Sequence, residues 1–188
     1  YGVGTGVMGV PNDDSRWGNC YGNIRATNHM FERAVSSYTG NLADIKKELA
    51  EGHFFRAYNY FYLLKFFGGV PVVTKVLDVT SPELYGKRNS RYEVVNLILS
   101  DLDEAIAGLP LEQNITSADK GKISKQAAQA FKARVLLYEA TWRKYNGTST
   151  DFEGSAGPAS DQVNTFLEES VQLSEIVMGD AAYSLWNY

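Results

Sequence analysis

The sequence predicts a mostly α-helical fold, an irregular array of helix hairpins with few or no strands. Three observations lead there. Apolar residues recur at steps of three and four along much of the chain, which places them on single helix faces. An aromatic run over residues 50–67 stops at Gly68-Gly69, with Pro71 just beyond. Glycine permits the turn that ends a helix, and proline prevents it from resuming. Helix-opening residues stand at Ser90, Ser124 and Asp161, 34 and 37 residues apart. Repeats of about this length are typical of tetratricopeptide-like arrays. The Trp, Leu-Gly and Tyr signature of that repeat is not met and the helices run longer, so the array is expected to be irregular.

The first helix is expected over about residues 16–39. Trp17, Tyr21, Ile24, Asn28, Phe31, Val35 and Tyr38 follow one another on one face. Asn28 interrupts that face, and an amide there calls for a buried backbone partner or an interface. Asn41 is the expected cap of the second helix, with Asp44 complementing its dipole. That helix reaches Phe67 and carries Phe54, Phe55, Tyr58, Tyr60, Phe61, Tyr62, Phe66 and Phe67. A helix apolar on more than one face is buried on more than one face, so it should lie between neighbours. Gly52 in its interior costs about 1 kcal/mol relative to alanine, and would let a neighbouring helix approach closely.

Ser90-Arg91-Tyr92-Glu93 reads as a capping box opening the third helix, whose inward stripe is Val95, Ile98, Leu102, Ala105 and Ile106, stopped at Gly108 and Pro110. Ser124 caps the fourth, with Ala127, Ala130, Phe131, Ala133 and Leu137 as its packing residues. Asp161 caps the fifth, with Val163, Phe166, Leu167, Ser170, Leu173 and Val177 inward and Gly179 closing it. The best strand candidate is residues 70–76, interrupted by Pro71. Residues 1–15, 77–89 and 146–160 fall outside the helices, the last being a Gly/Ser/Thr-rich loop.

At 188 residues and 44% hydrophobic, the chain can build one substantial core or part of a larger one. A net charge of −4 argues against nucleic acid, which calls for a clustered basic surface. Cys20 is the only cysteine and cannot close an intrachain disulfide. No apolar window reaches the length of a membrane span. The first residue is Tyr1 and no signal core follows, so a processed or trimmed start is expected, with any export signal or lipid anchor upstream.

Residues 4–9 satisfy the G-x-G-x-x-G pattern, but no strand precedes and Val10-Pro11-Asn12 follows, so a glycine-rich loop is expected rather than a dinucleotide site. His29 and His53 lack a Cys or carboxylate at metal-ligand spacing and read as polar residues at helix edges, with no metal or cofactor required. Glycosidase chemistry needs two facing carboxylates, and no two are singled out. Asn114 and Asn146 open glycosylation sequons, relevant only in a eukaryotic secretory setting. Arg56 sits inside the aromatic helix, where a guanidinium is costly unless paired. Asp101, between Leu99 and Leu102, is its expected partner in a structural pair.

The segment over residues 54–71, with Phe54, Arg56, Ala57, Tyr60, Phe61, Leu63, Phe67, Gly68, Gly69, Val70 and Pro71, resembles the signature of the SusD/RagB family of surface glycan-binding lipoproteins. The similarity extends along the chain. Trp17, Tyr21, Ile24 and Asn28 are similar to a preceding family helix. Arg91 to Val95, with Ile98, Asp101, Leu102, Ala105, Leu109 and Pro110, resembles a following one. Lys122 to Lys125, Ala127-Ala128 and Lys132 to Tyr138 resemble the next, and Tyr183-Ser184-Leu185 with Tyr188 the stretch after the last.

The resemblance implies a single helical domain over residues 1–188, the N-terminal tetratricopeptide-like half of a longer protein whose lipoprotein start and C-terminal half lie outside it. It implies a lipid-anchored, outward-facing protein of the bacterial outer membrane that binds a glycan or other nutrient and works with a SusC-like TonB-dependent transporter. No catalysis, cofactor or nucleic acid is implied. Within this chain the expected ligand-binding residues are Trp17, Asp14, Arg16 and Asn19, the ring stacking on a pyranose face and the polar groups bonding its hydroxyls. Trp17 is also readable as the start of its helix's apolar stripe, and the regularity of that stripe favours this second reading. A helical-repeat adaptor that binds only protein partners is the alternative function. A glycoside hydrolase accessory is a more distant one.

Overall fold

The computed structural model describes residues 14–148 and 161–184. Five α-helices follow in order: α1 (Ser15–Ser36), α2 (Lys46–Phe67), α3 (Arg91–Gly108), α4 (Lys125–Asn146) and α5 (Val163–Met178). Short 3-10 turns at Leu42–Ile45, Pro82–Tyr85, Glu112–Asn114 and Ser117–Asp119 punctuate the connections. The fold is mostly α, with no strand among the described residues. The glycine-rich residues 4–9 and most of the 146–160 loop lie outside the described residues.

Each helix packs on its sequence neighbours, α2 on α1 and α3, and α4 on α3 and α5. The aromatic helix α2 is therefore the sandwiched one. Ala57, Tyr60, Leu63 and Leu64 are wholly or almost wholly buried, and Phe54 and Phe61 reach Phe131 of α4 at 5.5 Å. Phe55, Tyr58 and Phe66 remain about half exposed, so one strip of the helix stays wet. Gly52 lies against Met30 and Phe31 of α1, and Gly108 against Ala50 of α2, where the absence of a side chain allows close approach.

The caps follow the side-chain chemistry. Ser90 accepts from the Glu93 amide at 3.2 Å while Glu93 accepts from the Ser90 amide at 2.7 Å, satisfying two otherwise orphaned donors. Ser124 accepts from the Ala127 amide. Asn41 caps the 3-10 turn that leads into α2 rather than α2 itself, by accepting from the Ala43 amide. Gly68 ends α2 with φ of 69°, a conformation that favours glycine.

Four expectations are corrected. The α1 stripe fails at its end: Val35 is 81% exposed, and the helix stops at Ser36, leaving Tyr38 outside it. Of the expected α4 packing residues Ala133 is buried and Phe131 packs on the core, but Ala130 and Leu137 are exposed, so the buried face is shifted. It carries Ala128, Val135, Leu136 and Ala140 together with the buried polar groups Gln126, Lys132, Glu139 and Arg143, whose pairing with one another and with neighbours hides them from an apolar count. Asp161 sits one residue outside α5, whose cap is Gln162 in the left-handed region, although Asp161 still accepts from the Val163 amide.

Residues 70–76 form no strand. Side chains satisfy this extended segment in place of a partner strand. Tyr21 donates to the Pro71 carbonyl at 2.6 Å, and Asn28 donates to the carbonyls of Val73 and Lys75. The Tyr60 hydroxyl both accepts from the Val73 amide and donates to its carbonyl, and Asn89 accepts from the Val72 amide. Three of these groups come from α1 and α2, so the helical core positions the segment.

Candidate functional site

Between α1 and this extended segment lies a groove of about 290 Å³. Trp17, Tyr21 and Ile24, at successive turns of α1, form one wall, and Pro71, Val73 and Leu77 the other. Leu84, from the 3-10 turn at Pro82–Tyr85, closes one end. Arg25, Lys75 and Glu83 give it a charged rim, where Lys75 and Glu83 bridge at 2.5 Å. That bond from Lys75 holds the Glu83 carboxyl below its ordinary range.

Trp17 is half-buried. Its ring lies 5.0 Å from Tyr21 and meets Phe67 edge-on at 5.2 Å, with the Arg88 guanidinium 5.7 Å from its centroid. It therefore begins the apolar stripe of α1 and lines the groove at once. Behind it, burial raises the pKa of the Tyr21 hydroxyl and pushes Tyr60 up to about 12, so both phenols stay protonated and tether the segment.

Asp14 and Arg16 are brought together, but with each other. Asp14 caps α1 by accepting from the Arg16 amide at 2.9 Å and also takes the Arg16 guanidinium at 2.7–3.2 Å. The side-chain bond from Arg16 lowers the Asp14 pKa. The guanidinium lies 4.4 Å from the Phe66 ring. Asn19 is exposed, and two residues past Trp17 it stands about 200° around the helix, away from the groove. Lys75, Glu83 and Leu84 carry no motif. Lys75 reaches the groove on the tethered 70–76 segment, and Glu83 and Leu84 because the 77–89 connection folds back toward α1, which no local pattern announces.

The structural residues meet deeper in. Arg56 donates to both oxygens of Asp101 at 2.7 Å, and its third nitrogen donates to the Asn28 side chain at 3.0 Å. His53 donates to the same carboxylate at 2.7 Å, a partner that its spacing on α2 does not advertise. The chain Asp101–Arg56–Asn28 ends on the carbonyls of Val73 and Lys75, linking the core to the groove wall. Gly68 and Gly69 turn the chain out of α2, and Pro71 places its carbonyl under Tyr21. Among the described residues no group of acidic, His and Cys side chains is arranged to hold a metal.

Residues 11–137 match the SusD-like family described as "Starch-binding associating with outer membrane". The chain belongs to the SusD-like family. The SusD-like protein P38 of Formosa agariphila is 34% identical over 108 residues, 57% of this chain and 20% of that protein. A SusD-like protein of Bacteroides fragilis superposes with a TM-score of 0.61 at 34% identity, over 71% of this chain and 25% of its own. A laminarin-binding SusD-like protein superposes with a TM-score of 0.60 at 27% identity, over 77% and 32%. The chain thus spans roughly a fifth to a third of the length of these SusD-like relatives.

Proposed function

We propose that this chain serves in a glycan-binding protein of the outer-membrane surface that captures a glycan or similar nutrient for a SusC-like TonB-dependent transporter. The observation that carries the reading is the groove beside Trp17, an aromatic wall with a charged rim, in a chain whose family is described as starch-binding. A pyranose offers an apolar C–H face for such a ring and hydroxyls for groups such as Lys75 and Arg25. Asp14 and Arg16 border this region as an ion pair, and Asn19 is placed away from it.

The reading is non-catalytic. Glycoside hydrolysis needs two carboxyl groups across a cleft, and Glu83 is the one carboxylate among the described residues of the groove, held by Lys75. The buried acids Asp101 and Glu139 are neutralised by arginines inside the core. No described helix is long and apolar enough to cross a membrane.

The test is glycan-array binding of the full-length protein, followed by affinity measurement for Trp17→Ala and Lys75→Ala. Loss of the stacking ring is expected to weaken binding about tenfold, about 1.4 kcal/mol. Lys75→Ala, at an exposed side chain, checks that the loss does not come from unfolding. Unchanged affinity in both variants removes the groove from the binding site. Silence across soluble polysaccharides favours the helical-repeat adaptor instead.

A further inference from the structure

A second groove, of about 580 Å³, runs between α2 and α4. Rings pave it. Phe61, Tyr138, Trp142 and Tyr145 line it, with Phe61 meeting Tyr138 at 5.3 Å. Along α4, Tyr138, Trp142 and Tyr145 follow at helical spacing, a row about 10 Å long by the rise of the helix. Tyr145 is 78% and Leu137 51% exposed, so the row is open to solvent.

The charged groups among its described lining residues have one sign. Lys65 and Arg134 are exposed, line the groove and form no ion pair among the described residues. The Lys65 ammonium sits 5.1 Å from the Phe61 ring and 5.2 Å from Tyr62. Among the described residues no carboxylate lines the groove. The one acid of α4, Glu139, is fully buried and bonded to Arg91 and Arg143. A positive, ring-paved groove stands on a chain whose net charge is −4.

We propose that this groove is a second glycan subsite and that it takes a uronate-bearing polysaccharide. Sugar rings stack on the aromatic row, and Arg134 and Lys65 pair with the carboxylates, the guanidinium by its two-pronged geometry. The volume lies within the usual range of ligand sites. An extended acidic peptide is a poorer fit, because two intact helices offer no free main-chain groups to pair its backbone. The inference rests on the glycan-binding reading, and its test separates the two.

Affinity electrophoresis of the full-length protein through native gels containing polygalacturonate, alginate or neutral glycans such as laminarin provides that test. Retardation by the acidic polymers is expected, weakening with salt and falling roughly tenfold in Arg134→Gln with Lys65→Gln, and in Tyr145→Ala. These side chains are exposed, and unchanged thermal unfolding establishes that the variants are folded. Retardation by neutral glycans is expected to be the same in variants and parent. Acidic-polymer binding that is absent, survives these substitutions, or is lost only in Trp17→Ala overturns the second subsite while leaving glycan binding in place. If the same variants instead lower only the amount of co-purifying transporter, the groove is a protein contact and the proposal falls. No retardation by any glycan, acidic or neutral, overturns the glycan-binding reading and with it this subsite.

Discussion

Arg56 grips Asp101 through two 2.7 Å hydrogen bonds, joining α2 to α3 where both side chains are more than nine-tenths buried. Such a pair gives little net stability over an apolar replacement, but removing one member strands the other. Arg56→Leu and Asp101→Leu are each expected to destabilise the fold by about 3–5 kcal/mol, and the double variant by less than their sum. Chemical denaturation of the three variants checks this.

The same carboxylate sets an acid limit. Burial pushes the Asp101 pKa up, but the bonds from Arg56 and His53 outweigh it, and the pKa ends below the ordinary value of 3.8. A carboxyl with a lower pKa folded than unfolded contributes stability above its unfolded pKa and loses it as pH falls through the folded one. The urea midpoint is expected to fall between about pH 5 and pH 2, and to fall less in Asp101→Asn.

Tyr60 holds the extended segment by both its donor and its acceptor. Tyr60→Phe leaves the Val73 amide and carbonyl without that partner, at an expected cost of about 1–2 kcal/mol. Amide hydrogen exchange is expected to accelerate at Val73.

Two glycines separate flexible from rigid crowding. A methyl at Gly108 would meet the Ala50 Cβ at 2.6 Å and the Lys46 carbonyl at 3.2 Å, neither able to swing away. Gly108→Ala is expected to cost about 1–3 kcal/mol. At Gly52 the nearest neighbour is the end of the Met30 side chain, which can rotate. Gly52→Ala is expected to be near neutral, since better helix propensity returns about 1 kcal/mol. Thermal melts of the two variants rank them.

Glu139 is fully buried between Arg91 and Arg143. Glu139→Gln removes the buried charge that both guanidinium groups bind, and a loss of about 3–5 kcal/mol is expected, measured by denaturant midpoint.

The order of helices was legible wherever local chemistry determines structure. Ser90 and Glu93 announce a cap because their spacing lets each reach the other's amide. The α3 stripe of Val95, Ile98, Leu102 and Ala105 is buried, and the one acid among them, Asp101, is admitted because Arg56 and His53 pair with it. On α4, Lys132, Glu139 and Arg143 occupy the interior, so apolar periodicity finds Ala133 and Phe131 but misplaces Ala130 and Leu137. Residues 70–76 look like a strand by composition, yet their hydrogen bonds go to Tyr21, Asn28, Tyr60 and Asn89, partners far away in sequence. Of the candidate site, Trp17 was visible as an aromatic at a helix start. Lys75 and Glu83 were not, since only tertiary folding carries the connection to that helix.

The wall facing Trp17 is hung from side chains of α1, α2 and Asn89 that grasp only its main chain. Lys75, its exposed residue at the groove, lends only a carbonyl to that hold, while its side chain reaches out to Glu83. Substitutions there can retune what the cleft prefers while the scaffold stays unaltered, so recognition and architecture are able to diverge independently.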